Sequence, residues 1–215
     1  MGGKRPMQQG RPGQGRPHRD MGDACTIEGL ALSLRAMSSV QQAGSSLPPD
    51  RHETITTELV EISDAHFRWM LGKQQAPAPG LTLPPGGVDG AETLQIVRRM
   101  TRRLHDGGSR GSWMMVSDRA VVGLCSYKQA PDASGQVEIG YGVAESCRNL
   151  GHAGRAVAAM LDYAQRDPAV RAVTASTAVA NIASRRALER NGFVQTGTGN
   201  DPDDGDLIFW RHELR

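Results

Sequence analysis

A chain of 215 residues has room for one large domain, or for one ordinary domain with a tail. The net charge is only +2 and arises in residues 1–50, where six basic side chains face four acidic ones; residues 51–215 carry nineteen of each. A balanced body argues against a protein whose main work is coating nucleic acid, and the scattered Cys25, Cys125 and Cys147 argue against a disulfide framework or a CxxC zinc site.

No stretch approaches the ~20 apolar residues of a membrane span, and the basic N-terminal stretch lacks the apolar core of a secretory signal. The expectation is a cytoplasmic protein with reduced thiols and no metal. Residues 1–50 divide from the rest. Residues 1–25 are Gly, Pro, Arg and Gln with little to bury, which predicts a disordered basic tail. Ile27, Leu30, Ala31 and Leu34 share a helical spacing, and SSLPPD at 45–50 breaks the chain. The folded domain is expected over residues 51–215.

Within it, Thr54 to Ile62 is β-branched and reads as a strand, and Ser63-Asp64 caps a helix running to Leu71. Residues 72–88 read as a Pro/Gly linker without a core signal. Asp89 to His105 reads as a helix with Leu94, Val97, Met100 and Leu104 on one stripe and Arg98, Arg99, Arg102 and Arg103 on the other face. That arginine face reads either as solvated or as a contact for an acidic partner.

Strands follow at Ser112–Ser117, Ala120–Lys128 and Gln136–Val143, forming a meander. A helix places Ala153, Ala156, Val157, Met160, Leu161 and Ala164 on one side. Val170–Ala178 reads as a buried strand. Strand, helix, strand makes a crossover, so the two strands flanking this helix should be parallel neighbours. A helix over Asn181–Arg190 and a closing pair, Phe193–Thr198 with Asp206–Glu213, complete an α+β architecture: a mixed, mostly antiparallel sheet with helices on its faces.

The chemistry concentrates between Gln136 and Gln165. Arg148-Asn149-Leu150-Gly151-His152-Ala153-Gly154 joins a strand to a helix. The amides at such a helix start are free, the helix dipole adds roughly half a positive charge, and small residues let an anion touch the backbone. Arg148 adds a charged fork, so the loop reads as the seat of a phosphorylated cofactor. A dinucleotide fingerprint fails, because Glu145 stands where Gly140-Tyr141-Gly142 would need its third glycine, and no Walker sequence is present.

Residues 136–193 resemble the acetyl-CoA-binding core of the GNAT superfamily of N-acetyltransferases. Arg148, Gly151 and Ala153 match its Gln/Arg-x-x-Gly-x-Gly/Ala motif, and Asn181 with Gly192-Phe193 matches a second motif one crossover later. The wording Val137–Tyr141 and Ser184–Phe193 is most similar to the RimJ/RimL-type branch. The resemblance implies a GNAT-like sheet with a parallel pair at the cofactor cleft. It also implies acetyl-CoA as co-substrate and direct transfer to a primary amine, a protein N-terminus or a small molecule. Under it the diphosphate would rest on Arg148, Asn149, Gly151, His152, Ala153 and Gly154. The pantetheine arm would lie along Tyr141, Gly142 and Val143, with Asn181 bonding it.

Glu138 is the implied base and Ser184 the implied acid, because Leu188 stands where many members carry a tyrosine. Loss of that tyrosine leaves a non-catalytic CoA-binding adaptor or sensor as the alternative. A third reading is nucleic-acid association through the basic tail. The acceptor's identity, and the choice between monomer and homodimer, are left open by the sequence.

Overall fold

The meander is the centre of the molecule. The computed structural model describes residues 55–215. In it β1 (Glu58–Glu61), β2 (Ser112–Ser117), β3 (Ala120–Tyr127) and β4 (Gln136–Val143) pair antiparallel in succession. Asp118 and Arg119 turn β2 into β3 with φ of 46° and 64°, so a two-residue hairpin of the twist-matching type forms without glycine. The tail at residues 1–50, the helix expected near Ile27–Leu34 and the domain start at Arg51 lie outside the described residues. The first strand is shorter than Thr54–Ile62 would suggest.

The chain then crosses over through α3 (His152–Gln165) to β5 (Ala172–Ala178), parallel to β4, and through α4 (Ile182–Arg190) to β6 (Val194–Asp201) and β7 (Gly205–Glu213). The seven-stranded order is β1-β2-β3-β4-β5-β7-β6, which is the expected mixed sheet with one parallel pair. That pair is brief. Only Gln136, Val137 and Glu138 face Ala172, Val173 and Thr174; beyond them β4 continues against β3 alone and β5 against β7 alone.

Strand alternation divides the core between the two faces. On one face α3 and α4 pack Ala156, Val157, Met160 and Leu188 against Trp113, Met115, Val137, Ile139 and Trp210. Trp113 meets Tyr127 edge-on at 5.3 Å and Tyr163 at 4.8 Å, so the half-exposed Tyr163 also shields the core. On the other face α1 (Asp64–Met70) and α2 (Ala91–Asp106) bury Phe67, Leu94, Val97 and Met100 over Met114, Val121 and Leu124.

Ser63 begins α1, as its capping chemistry predicts, and its N–H donates to His66 Nδ1 at 3.0 Å. The arginine face of α2 is partly spoken for. Arg98 donates to both Asp64 oxygens at 2.6 and 2.8 Å, and Arg102 reaches the same carboxylate at 3.4 Å. The Arg98 hydrogen bonds hold the Asp64 carboxyl below its usual range.

Residues 72–88 differ from the expectation of a linker without core. Pro84 and Val88 are buried, and Leu81 and Leu83 pack on the α1/α2 side. Thr82 donates its N–H to Arg119 O at 2.9 Å and accepts from Val121 N–H at 3.0 Å. The apolar residues are spaced too irregularly for helix or strand, so periodicity could not detect a segment that folds by borrowing hydrogen bonds from β3.

Met160 is fully buried between α3 and the sheet. Met160→Ala should lower unfolding free energy by about 2–5 kcal/mol through lost burial and a residual cavity. Urea titration should show the midpoint falling with an unchanged slope.

Candidate active site

The chain leaves β4 through one tight turn, Glu145–Cys147, and then straightens at Arg148. Asn149 takes φ 65° and Gly151 φ 80°, which swings the chain back into α3. The amide of Arg148 bonds Glu145 O at 3.3 Å, and that of Arg155 bonds Gly151 O at 3.2 Å. Between them, the six amides from Asn149 to Gly154 make no hydrogen bond of normal geometry to the described protein. A row of unspent donors at a helix N-terminus suits an anion. At Gly151 a Cβ would lie 2.9 Å from Arg155 Nη1, in a backbone conformation that L-residues rarely adopt.

Arg155 was not singled out in the sequence. Its guanidinium donates to Leu150 O at 2.8 Å and braces the loop from one helical turn further on. Arg148 points back along the loop, with Nε 3.4 Å from Val143 O. The His152 side chain turns inward: it is 3% exposed, and its Nδ1 lies 2.9 Å from Thr57 Oγ1. Its share in the row is therefore its main-chain N–H. Burial, helped by the nearby Arg155 charge, holds the imidazole below its ordinary pKa.

Where β4 and β5 part, Glu138 is the last paired residue. Its Oε1 accepts from Lys128 Nζ at 2.5 Å and from Ser176 Oγ at 2.8 Å, while Lys128 also reaches Ser176 Oγ at 3.4 Å. Sequence reading missed both partners. Hairpin pairing sets Lys128 opposite Glu138, its N–H bonding Glu138 O at 2.7 Å; Ser176 follows by period-two alternation from Thr174. Gly140 and Gly142 continue the same face of β4. They line a shallow open groove with Val88, Asp89, Thr93, Val97 and Leu124.

The far wall of the gap is the first turn of α4. Asn181 caps it, its Oδ1 accepting from Ser184 N–H at 3.1 Å. Ser184 is 6% exposed. Tyr141 crosses from β4 and donates its hydroxyl to Ser184 O at 3.2 Å. Burial pushes this phenol up to about 12, opposed by a hydrogen bond from the Ser184 side chain.

Leu188 is completely buried among α3 and sheet residues, so its departure from the family's tyrosine is a core choice. Asn191, also overlooked, ties the two helices by donating to Gly154 O at 3.1 Å and Ala187 O at 2.7 Å. Cys125 is buried with its thiol pKa raised by desolvation, a poor setting for a nucleophile. Among the described residues no three His, Cys, Asp or Glu side chains gather as metal ligands. None of the described helices is long and apolar enough to cross a membrane.

A mixed sheet whose parallel pair opens beside an amide-lined helix start defines an acyl-CoA-binding class of fold. The chain matches the acetyltransferase (GNAT) domain over residues 53–194 and belongs to that family. It is 29% identical over 93 residues to the uncharacterized N-acetyltransferase YjdG of Bacillus subtilis (strain 168), covering 41% of this chain and 55% of the other. It thus spans about half the length of that curated relative. Its fold is similar to that of RimL, a ribosomal L7/L12 alpha-N-protein acetyltransferase solved with coenzyme A (TM-score 0.56, 20% identity, 74% of this chain and 94% of that one). It is also similar to a probable acetyltransferase (TM-score 0.52, 25% identity, 75% and 93%).

Gly151→Asp should weaken coenzyme A binding by at least about tenfold by calorimetry, because it adds a charge opposed to phosphate and a Cβ at positive φ. A separate test concerns His152. Its depressed native pKa means that the unfolded chain takes up the proton first. That contribution to stability is full above about pH 6.5 and is lost as pH falls below it. His152→Gln should flatten the decline in urea midpoint between about pH 7 and 5. A slope from His66, whose burial also depresses its pKa, should persist.

Proposed function

We propose that the protein is an acetyl-CoA-dependent N-acetyltransferase that moves the acetyl group directly to a primary amine, without an acyl-enzyme. The observation that carries this reading is the junction of six unspent amides with a gap between two strands. The first offers a seat for a diphosphate and the second offers strand edges to an amide-bearing arm. Arg148 and the amides of Asn149 to Gly154 would hold the phosphate end. The backbone of Tyr141, Gly142 and Val143 would take the arm, with the Nδ2 of Asn181 on the other side.

Glu138 is the base in this scheme. An acceptor ammonium of pKa ~8–10 must lose a proton before attack. Oε1 of Glu138 is committed to Lys128 and Ser176, which turns the carboxylate as a unit and leaves Oε2 for the incoming amine or a bridging water. The acceptor class is a protein N-terminal amine or a small-molecule amine. The fold similarity to RimL makes the first worth testing early.

Thiol release from acetyl-CoA should depend on one member of a panel of N-terminal peptides, polyamines and amine drugs. Tight coenzyme A binding with no turnover across that panel would overturn the reading in favour of an adaptor. Glu138→Gln should cut kcat/KM by about 10²–10⁴-fold. Its coenzyme A affinity should stay at the wild-type value.

A further inference from the structure

The departing sulfur needs a partner, and Leu188 cannot be it. A leucine sealed in the core has neither a proton nor access. Two hydroxyls remain where the gap narrows between β4 and α4. Tyr141 spans it from the strand side, and its O–H ends on the Ser184 carbonyl at 3.2 Å. Ser184 beside it is 6% exposed, and its side chain also hydrogen-bonds the phenol. On the reading above, the arm lies along the main chain of Tyr141 to Val143, beside this crossing. The bond to the Ser184 main chain, at 3.2 Å, is long enough to exchange for another acceptor.

We infer that Tyr141 is a catalytic hydrogen-bond donor to the leaving sulfur, supplying from β4 what the family's tyrosine supplies from α4. The inference rests on the acetyltransferase reading above. In the step itself the amine nitrogen bonds the acetyl carbon and the carbon–sulfur bond breaks, its electron pair going to sulfur. The amine's proton passes to Glu138 or to water. The thiolate accepts the Tyr141 O–H as a hydrogen bond and later takes its proton from solvent.

Burial favours this division of labour. A phenol pushed up to about 12 keeps its proton in front of a thiolate whose conjugate acid lies near ~8.5. Tyr141 therefore remains a donor throughout the cycle. Such a donor, already placed where negative charge develops, stabilises the transition state without reorganisation.

Tyr141→Phe should lower kcat by about 10–100-fold, as loss of one aimed donor does, while KM for acetyl-CoA and the calorimetric affinity for coenzyme A stay within twofold. Site-specific 3-fluorotyrosine at 141, which keeps the O–H, should restore kcat. Coenzyme A binding should also give a tyrosine ultraviolet difference signal that Tyr141→Phe abolishes, a readout independent of turnover. A wild-type enzyme that turns over alongside a Tyr141→Phe variant with unchanged kcat would overturn the inference and leave the acetyltransferase reading standing. A variant that loses affinity and rate in parallel would overturn it too, by making Tyr141 a binding residue. A wild-type protein without turnover would remove both.

Discussion

Everything at the site depends on one failure of pairing. After Glu138 and Thr174 the two central strands stop sharing hydrogen bonds, although each still bonds its outer neighbour. Strand edges inside a protein are costly to leave unpaired, about 1–3 kcal/mol for each buried group without a partner. A gap between parallel strands persists only if packing on the sheet faces holds it open. Here that packing is Val157, Met160 and Leu188 on one side and the α2 stripe of Leu94, Val97 and Met100 on the other. The edges so exposed are a template for an extended, amide-containing ligand, by the same chemistry that adds a strand to a sheet.

The two ends of the gap do different electrostatic work. At the loop end, on the proposed reading, a diphosphate would be drawn by main-chain dipoles together with Arg148. At the other end Glu138, Lys128 and Ser176 form a compact polar cluster in which the carboxylate's orientation is fixed from two directions. His152 joins the regimes structurally. It stands at the first position of α3, yet its ring is anchored to Thr57 ahead of β1, so the loop is braced by the edge strand of the sheet.

Much of this was legible from residue order alone. Helix stripes, the Ser63 cap, the meander and the crossover all rest on local periodicity, and their limits fell within a few residues of the observed ones. The glycine at 151 was legible because a left-handed residue before a helix has few alternatives. The Lys128–Glu138–Ser176 cluster was not, since its members belong to three strands and meet only through register. Tyr141 was visible as a groove residue, but its contact with Ser184 depends on the width of the gap, which no local pattern encodes. Residues 72–88 escaped because they pack without repeating.

The brevity of the β4–β5 pairing also bears on how the chain assembles. It divides the sheet into two plates, β1 to β4 and β5, β7, β6, each drawn from a continuous length of chain. Within each plate, neighbours in space are mostly neighbours in sequence, so loop-closure entropy is small and each can form early. Three ladder pairs, the crossover helix, the shared core and the Glu138–Ser176 bond then join them. The ladder is shortest at this seam, where the proposed ligand would lie. A ligand bridging the two plates would be expected to slow amide hydrogen exchange along their facing edges ahead of any other part of the sheet.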